Sequence, residues 1–247
     1  MENTIYIALS SQMALRRQLE TVANNMANMS TPGYQAERIM FREYLQPIGQ
    51  GESISFVQDY ASYRDASTGP INYTGADLDV AITGKGYFAV ETPDGIRYTR
   101  AGSFTIDSQQ RLVTNQGYPV QAASGGPIVF PSNADEIMIA EDGTISVRGQ
   151  DSKASNRVGR LGVVEFENES QLRRGGSGLF ETEAEPTQSS DVRLQQGALE
   201  QSNVQGVREM TDMMAVLRTY QSMQKALDGE SERRRSAIQQ LSKTMAA

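Results

Sequence analysis

The sequence predicts an α+β fold in which an antiparallel all-β domain, of small-barrel or sandwich type, is inserted between two terminal helices. Three observations support this. Apolar residues follow a heptad pattern at both ends of the chain, glycine is frequent in the middle, and short β-rich runs there alternate with turn residues. The two helices are expected to pair as an antiparallel coiled coil, so that residues 1–30 and 196–247 form one helical assembly domain.

The first predicted helix covers residues 3–28, a stretch without proline or glycine. Its apolar positions are separated by alternating steps of three and four residues, with Gln12 as a polar member of the same seam. Asn24, Asn25 and Asn28 predict the end of the helix, because asparagine competes for backbone hydrogen bonds and tolerates helix C-caps. The apolar seam residues are Ile5, Ala8, Leu15, Leu19, Val22 and Met26.

Residues 31–74 show no clear periodicity and predict an extended connector with some strand content. The connector begins with Thr31-Pro32-Gly33-Tyr34, in which proline at the second position and glycine at the third predict a type II turn.

The β domain is predicted over residues 75–182, followed by a polar connector over residues 183–195. Its strands are separated by Gly- and Asp-rich turns such as Pro93-Asp94-Gly95 and Asp142-Gly143. The predicted strands are 79–83, 86–91, 96–99, 111–115, 118–121, 127–130, 136–140, 144–147 and 159–166.

The second helix is expected from about residue 204 onward, continuous or nearly so, with a weak point near Gly229. Its seam contains one polar residue, Gln224. An antiparallel alignment that places Leu19 level with Leu217 also brings Gln12 opposite Gln224. The apolar seam residues are Met210, Met213, Leu217, Tyr220 and Leu227, and the pattern resumes beyond the first helix at Ile238, Leu241 and Met245.

The composition excludes several classes of protein. The net charge of −7 disfavours a protein that binds duplex nucleic acid. Because the chain has no Cys, His or Trp, thiolate and imidazole catalysis, structural zinc, disulfides and haem ligation are not expected. No catalytic residue, cofactor or metal is predicted. No apolar run is long enough to span a bilayer, and the N-terminus lacks the basic region of a secretory signal, so we expect neither membrane insertion nor a cleaved signal peptide.

Two local motifs resemble ligand-binding loops, but each lacks a glycine that the loop requires. Gly84-Lys85-Gly86 lacks the glycine that a phosphate-binding loop needs five positions earlier, where Asp79 stands. Asp77 and Asp79 have the spacing of a calcium loop, but Ile82 occupies its glycine position.

A hydrolase that uses two carboxylates, for instance one acting on the cell wall, remains an alternative. It would need two acidic side chains in one cleft of the β domain. Most of the candidate aspartates lie in turns, where aspartate is a common structural residue.

The terminal helices allow two interpretations: they pair within one monomer, or they bury their seams mainly against neighbouring subunits. Two helices alone make a thin core, and methionines 210, 213, 214 and 223 favour adaptable contacts. Both points favour assembly.

Three segments of the chain resemble the signatures of flagellar basal-body rod and hook proteins. The N-terminal segment is Ala23-Asn24-Asn25-Met26-Ala27-Asn28 with Thr31-Pro32-Gly33-Tyr34. The central one is Leu78-Asp79-Val80-Ala81-Ile82 with Gly84, Gly86-Tyr87-Phe88, Tyr98-Thr99-Arg100 and Gly102-Ser103-Phe104. The C-terminal one is Gly197-Ala198-Leu199-Glu200 with Ser202-Asn203-Val204, then Glu209-Met210 and Arg218-Thr219-Tyr220. Within this family the sequence leans toward the proximal rod branch, with the distal rod and hook branches as alternatives.

The resemblance implies a non-enzymatic building block of the flagellum. Such a chain is exported through the flagellar type III apparatus without a cleaved signal peptide and assembles with copies of itself and paralogous rod proteins. The product is a helical tube that spans the periplasm, transmits torque and encloses the export channel. The residues expected at subunit interfaces are Ile5, Leu15, Leu19, Val22, Asn24, Asn25, Met26, Asn28, Ser202, Asn203, Val204, Met210, Met213, Leu217, Tyr220, Leu227, Ile238 and Leu241.

Overall fold

A computed structural model describes residues 2–47, 53–132, 134–149, 155–189 and 192–244, with the backbone alone for residues 2–6, 43–47, 53–60 and 240–244. The described chain contains two α-helices and seventeen strands, all paired antiparallel, so the α+β class is confirmed. It divides into two compact units. Unit 1 comprises the described residues within 1–27, 37–64 and 205–247, and unit 2 those within 28–36 and 65–204.

Unit 1 consists of the helices α1 (Glu2–Ala27) and α2 (Gly206–Thr244) and a long hairpin formed by β1 (Glu37–Pro47) and β2 (Ser53–Arg64). The register of the hairpin shifts between Met40 and Phe41, which leaves Tyr60 as a bulged residue on β2. Where the sequence predicts a connector with some strand content, the structure has two strands of 11 and 12 residues. Both strands contact α1, which supplies the packing that an isolated two-stranded ribbon lacks.

The two helices of unit 1 run antiparallel. Gln12 near the start of α1 donates a hydrogen bond from Nε2 to Oε1 of Gln224 (3.3 Å) and another to the Tyr220 hydroxyl (3.1 Å). At the other end of α1, Asn25 donates to Glu209 (3.3 Å). The predicted level of Gln12 with Gln224 is therefore confirmed. The glutamine pair, however, lies at the solvent-exposed edge of the helix contact rather than in a buried layer.

The difference in helix length leaves the end of α2 without a partner on α1. With 26 and 39 residues, the helices are about 39 and about 58 Å long. Because Gln12 is level with Gln224, Glu2 lies level with Arg234, and residues 235–244 extend beyond α1. Ile238 in this overhang is 66% exposed. No helix among the described residues is long and apolar enough to cross a membrane.

Unit 2 is built from open antiparallel sheets. The largest has the strand order β13-β14-β6-β5-β12-β15, and β9 to β11 form a three-stranded sheet. No closure joins the outer strands in the described part of the chain, so the predicted small barrel is not found there. The strands are β3 (Ile71–Tyr73), β4 (Val80–Thr83), β5 (Tyr87–Thr92), β6 (Gly95–Thr99), β7 (Phe104–Ile106), β8 (Leu112–Thr114), β9 (Ala134–Ile139), β10 (Thr144–Gly149), β11 (Ser155–Arg160), β12 (Val163–Glu165), β13 (Arg173–Arg174), β14 (Phe180–Glu181), β15 (Thr187–Gln188), β16 (Arg193–Gln196) and β17 (Ala198–Glu200).

Strand β5 is buried on both faces and separates two hydrophobic clusters. Its side chains alternate, so that Phe88 and Val90 enter the larger cluster while Tyr87 and Ala89 enter the smaller one. In the smaller cluster the Tyr87 and Phe180 rings pack edge-on with centroids 5.6 Å apart. A continuous run of buried residues is typical of a strand in the middle of a sheet that is covered on both sides.

The strand predicted over residues 159–166 is divided in the structure into β11 and β12 by a break at Gly162. A Cβ atom on Gly162 would lie 2.9 Å from the Gln121 carbonyl oxygen, so the chain passes too close to its neighbour for a side chain. The segments predicted at 118–121 and 127–130 form isolated bridges instead of regular strands. The segment predicted as a polar connector contributes β15 and the first residues of β16.

Gly102 provides a direct test of the packing in unit 2. A Cβ atom there would lie 1.7 Å from the Val80 carbonyl oxygen, and the backbone must move to admit it. We expect Gly102→Ala to reduce the free energy of unfolding by at least about 1–3 kcal/mol. Urea unfolding followed by tyrosine near-UV circular dichroism measures this loss.

The matched control is Gly159→Ala in β11, since no heavy atom lies within 4 Å of a Cβ at that position. This variant should unfold within about 0.5 kcal/mol of the parent. Equal losses for the two alanine variants would contradict the close approach at Gly102.

Candidate assembly site

The residues predicted at subunit interfaces occur in both units. Asn28, Ser202, Asn203 and Val204 lie in unit 2, and the others lie on the two helices of unit 1. On α1, Val22 is buried, Asn25 is completely buried and Asn24 is exposed. The half-buried helix residues are Leu15, Leu19, Met26, Met213, Leu217, Tyr220 and Leu227. The side chains of Ile5 and Leu241 lie outside the described residues.

The buried face of α2 differs by one residue from the predicted seam. Met210 is 52% exposed, whereas the neighbouring Glu209 is 0% exposed, and Val216 is the next buried residue on the same face. An isolated carboxylate would be costly to bury, so Glu209 must be compensated by specific partners.

Glu209 finds its partners on α1 and β1. Its Oε1 forms an ion pair with Nη1 of Arg38 (2.9 Å), and its Oε2 accepts a hydrogen bond from Asn25 (3.3 Å). The Asn25 amide also donates to the Glu37 carbonyl oxygen and accepts from the Glu37 N–H, both at 2.9 Å. Asn25 thus binds Glu37 as a neighbouring strand would, and this cluster joins the start of the hairpin to both helices of unit 1.

Several large apolar side chains on the helices of unit 1 remain exposed to solvent. Met13 on α1 is 66% exposed, and Val207 and Met214 on α2 are 85% and 46% exposed. Isolated apolar residues are common on protein surfaces, but several on one pair of helices favour an interaction surface. Among the helix side chains that the structure describes, these exposed residues are Leu9, Met13, Val207, Met210, Met214 and Ile238.

Unit 2 contains a second buried polar cluster, centred on an ion pair between Arg100 and Glu200. Arg100 Nη2 and Nε lie 2.8 and 2.9 Å from Glu200 Oε2, and the two side chains are 3% and 2% exposed. The guanidinium also donates to the carbonyl oxygens of Gly86 (2.8 Å) and Gly84 (2.9 Å). The second oxygen of Glu200 accepts from the Gly69 N–H at 3.0 Å. Burial raises the pKa of Glu200, and Arg100 and the Gly69 N–H offset this only in part.

The predicted turn at Thr31-Pro32-Gly33-Tyr34 packs against this cluster. Tyr34 N–H donates to the Thr31 carbonyl oxygen (3.2 Å), and Gly33 has φ +67°, as the third position of a type II turn requires. Gly33 N–H donates to the Glu200 carbonyl oxygen (2.8 Å), and a Cβ on Gly33 would lie 2.5 Å from the backbone of Arg100. Residues from all three sequence signatures therefore meet in unit 2.

Sequence reasoning did not assign a role to Glu209, Arg38, Arg100 or Glu200. Three of them lie within or beside the quoted signatures, but their charges alone indicate solvent-exposed positions. Arg38 lies in the segment without clear periodicity. No local pattern identifies the partners, because Arg100 and Glu200 are 100 residues apart and Asn25 and Glu209 are 184 residues apart.

The hydrolase alternative needs a cleft with two carboxylates, and unit 2 has a surface groove of about 690 Å³. It contains Glu181 and Glu183. The Glu181 carboxylate is paired with Arg97 at 3.1 Å and is 43% exposed, and Glu183 is exposed. A glycosidase acts through two carboxyl groups that flank the scissile bond, and in this groove one of the two carboxylates is engaged by an arginine. In the described part of the chain, no group of three or more acidic side chains could hold a metal ion.

The buried ion pair makes a testable contribution to the stability of unit 2. Arg100→Met leaves the Glu200 carboxylate buried without its cation, and we expect a loss of about 3–5 kcal/mol in the free energy of unfolding. Arg148→Met is the matched control, since Arg148 and Glu136 form an exposed pair (45% and 51%) that should contribute at most about 1 kcal/mol. Urea denaturation of both variants measures the difference. Similar losses for the two would show that Arg100 and Glu200 are not held as the structure describes.

Three protein-family profiles match the chain in the order of the three signatures. They are described as "Flagella basal body rod protein" (residues 5–35), "Flagellar hook protein FlgE/F/G D1 domain" (residues 81–147) and "Flagellar basal body rod FlgEFG protein C-terminal" (residues 195–240). The Arg100–Glu200 pair joins the second matched segment to the third.

Comparison with curated proteins finds relatives that align over nearly the whole chain. The flagellar basal-body rod protein FlgF of Caulobacter vibrioides is 38% identical, with 98% of this chain and 99% of the relative aligned. FlgF of Escherichia coli is 36% identical over the same shares of the two sequences. The rod protein FlgG of Bacillus subtilis is 31% identical over 94% of this chain and 96% of the relative. The chain therefore belongs to the family of flagellar basal-body rod proteins.

Proposed function

We propose that the chain is a structural subunit of the proximal part of the flagellar rod. It assembles with copies of itself and with paralogous rod proteins into the helical tube that transmits torque and encloses the export channel. The family supports the rod role, and the greater similarity to FlgF than to FlgG relatives supports the proximal position. The chain carries no catalytic function in this proposal.

The single observation that carries the assembly role is the incompletely covered helix pair of unit 1. Leu9 and Met13 on α1 and Met210 on α2 are each about half exposed or more, at 47%, 66% and 52%. Residues 235–244 of α2 extend beyond α1 and include the exposed Ile238. Covering these side chains with a neighbouring subunit removes apolar area from water, at about 25 cal/mol for each Å² buried.

In the assembled rod we propose that the helix pair becomes a coiled coil whose seams extend between subunits. The interface residues are then the predicted set on α1 and α2 other than Val22 and Asn25, which unit 1 already buries, with Ile5 and Leu241 at the ends of the two seams. The chain reaches this location in the periplasm through the flagellar type III export apparatus, without a cleaved signal peptide. This route is the one that the family resemblance implies.

The assembly role is tested by placing a charge in the helix seam. Leu19 and Leu217 are half-buried, and they lie level with each other when Gln12 is level with Gln224. A carboxylate there costs several kcal/mol unless it is paired, so Leu19→Asp and Leu217→Asp should abolish incorporation into basal bodies and stop swarming. Expression in a strain that lacks the chain, followed by basal-body purification and soft-agar motility, measures both effects.

Leu19→Met and Leu217→Met are the controls, because they keep an apolar side chain of similar volume and should retain motility. Circular dichroism of the purified Asp variants should show that unit 2 remains folded. Wild-type motility of the Asp variants would contradict a packed seam at these positions.

A further inference from the structure

The chain enters or leaves unit 2 at four places, and one side chain connects three of them. The boundary residues of unit 2 are Asn28, Ala36, Asp65 and Val204. The amide of Asn203, next to the last of these, forms hydrogen bonds with the backbone of Ala36 and of Asp65. The assignment of Asn203 from sequence was to a subunit interface, but its contacts within unit 2 indicate a different task.

The hydrogen bonds around Asn203 form a closed ring. Its Oδ1 accepts from the Ala36 N–H (2.7 Å), and its Nδ2 donates to the carbonyl oxygens of Asp65 and Ser67, both at 2.9 Å. The Asp65 N–H donates in turn to the Ala36 carbonyl oxygen (2.8 Å). We call Asn203, Ala36, Asp65 and Ser67 the exit node.

The exit node needs a side chain that both donates and accepts. The carboxamide has two N–H donors and one carbonyl acceptor, and here both functions are used at once. The node is also tied to the rest of unit 2: the Asn203 backbone N–H donates to the Tyr34 carbonyl oxygen (3.2 Å), and the Ser202 hydroxyl accepts from the Val204 N–H (3.2 Å). The segment from Ser202 to Val204 is therefore held in one conformation by both side chains and backbone.

We infer that Asn203 is a positioning residue that fixes the geometry of three chain exits from unit 2, and that rod assembly requires it. Only the second part of the inference, that rod assembly requires Asn203, rests on the proposed function. Without the Asn203 side chain, Ala36, Asp65 and Ser67 lose the hydrogen bonds that tie them to residue 203, and each subunit must order these exits again when it is incorporated. Fixed exits remove that cost before assembly.

The test compares Asn203→Ala and Asn203→Asp with Asn156→Ala, which removes an exposed amide from β11. Native-state hydrogen exchange of single amides is measured by NMR on the full chain. In Asn203→Ala, exchange of the Ala36 and Asp65 amides should accelerate about tenfold or more, the factor that corresponds to the loss of one or two hydrogen bonds. The Phe88 and Val90 amides in β5 should keep their protection, which shows that unit 2 stays folded.

The Asp65 amide distinguishes a connected node from a single local bond. Its acceptor is the Ala36 carbonyl oxygen and not Asn203, so its exchange accelerates only if the loss of Asn203 also opens the Asp65–Ala36 bond. Asn203→Asp keeps an acceptor for the Ala36 N–H. It replaces the Nδ2 donor with a carboxylate oxygen, which repels the carbonyl oxygens of Asp65 and Ser67. It should therefore expose the Asp65 amide while protecting Ala36 better than the alanine variant does. Both Asn203 variants should fail to restore swarming in a strain that lacks the chain, whereas Asn156→Ala should restore it.

Two results would overturn the inference. If exchange accelerates only at Ala36 in Asn203→Ala, Asn203 makes a local bond and holds no node. If the node opens but swarming and rod incorporation stay at the wild-type level, the exits need not be fixed for assembly. A failure of the proposed function is distinguishable, because the unmodified chain would then be absent from purified basal bodies whatever the exchange data show.

Discussion

The architecture of unit 2 depends on the burial of one positive charge, the guanidinium of Arg100. A cation that is 3% exposed must be surrounded by acceptors, and Arg100 has the Glu200 carboxylate and the carbonyl oxygens of Gly84 and Gly86. These acceptors come from the turn before β5 and from β17 near the end of the unit. The cost of removing both charges from water cancels much of the attraction between Arg100 and Glu200. The main effect of the ion pair is therefore on specificity, because any arrangement that separates these segments would leave a buried charge without a partner.

Unit 1 has the same constraint with the opposite charge. Glu209 is completely buried in a helix pair that otherwise offers a thin apolar core, and Arg38 and Asn25 compensate it. Because Asn25 also binds both polar groups of the Glu37 backbone, the cluster determines where the hairpin begins relative to α1. Apolar side chains elsewhere on the two helices, such as Met13 and Val207, stay exposed, and they form the surface that we propose for assembly.

Several residues of the family signatures make contacts within one unit of the chain, although the sequence analysis had assigned some of them to subunit interfaces. Asn25, Gly33, Arg100, Glu200 and Asn203 all make contacts within one unit that depend on their particular side chain or lack of one. By contrast, the exposed residues Met13, Val207 and Ile238 lie outside the signature segments quoted from the sequence, and of the exposed helix residues named above only Met210 lies within one. Recognition of the family by its signatures thus identifies the fold directly and the proposed assembly surface only indirectly.

The sequence by itself determined the features that depend on neighbouring residues. The end of α1 at Ala27, the positive φ of Gly33 and the alternation in β5 all follow from local propensity or periodicity. The level of Gln12 with Gln224 follows from the heptad repeats once the two helices are aligned antiparallel. Tertiary structure alone decided that α2 buries Glu209 and exposes Met210, and that Asn203 meets Ala36 and Asp65. The physical reason is that a polar side chain is buried only where a partner compensates its desolvation, and these partners lie more than 100 residues away in the chain.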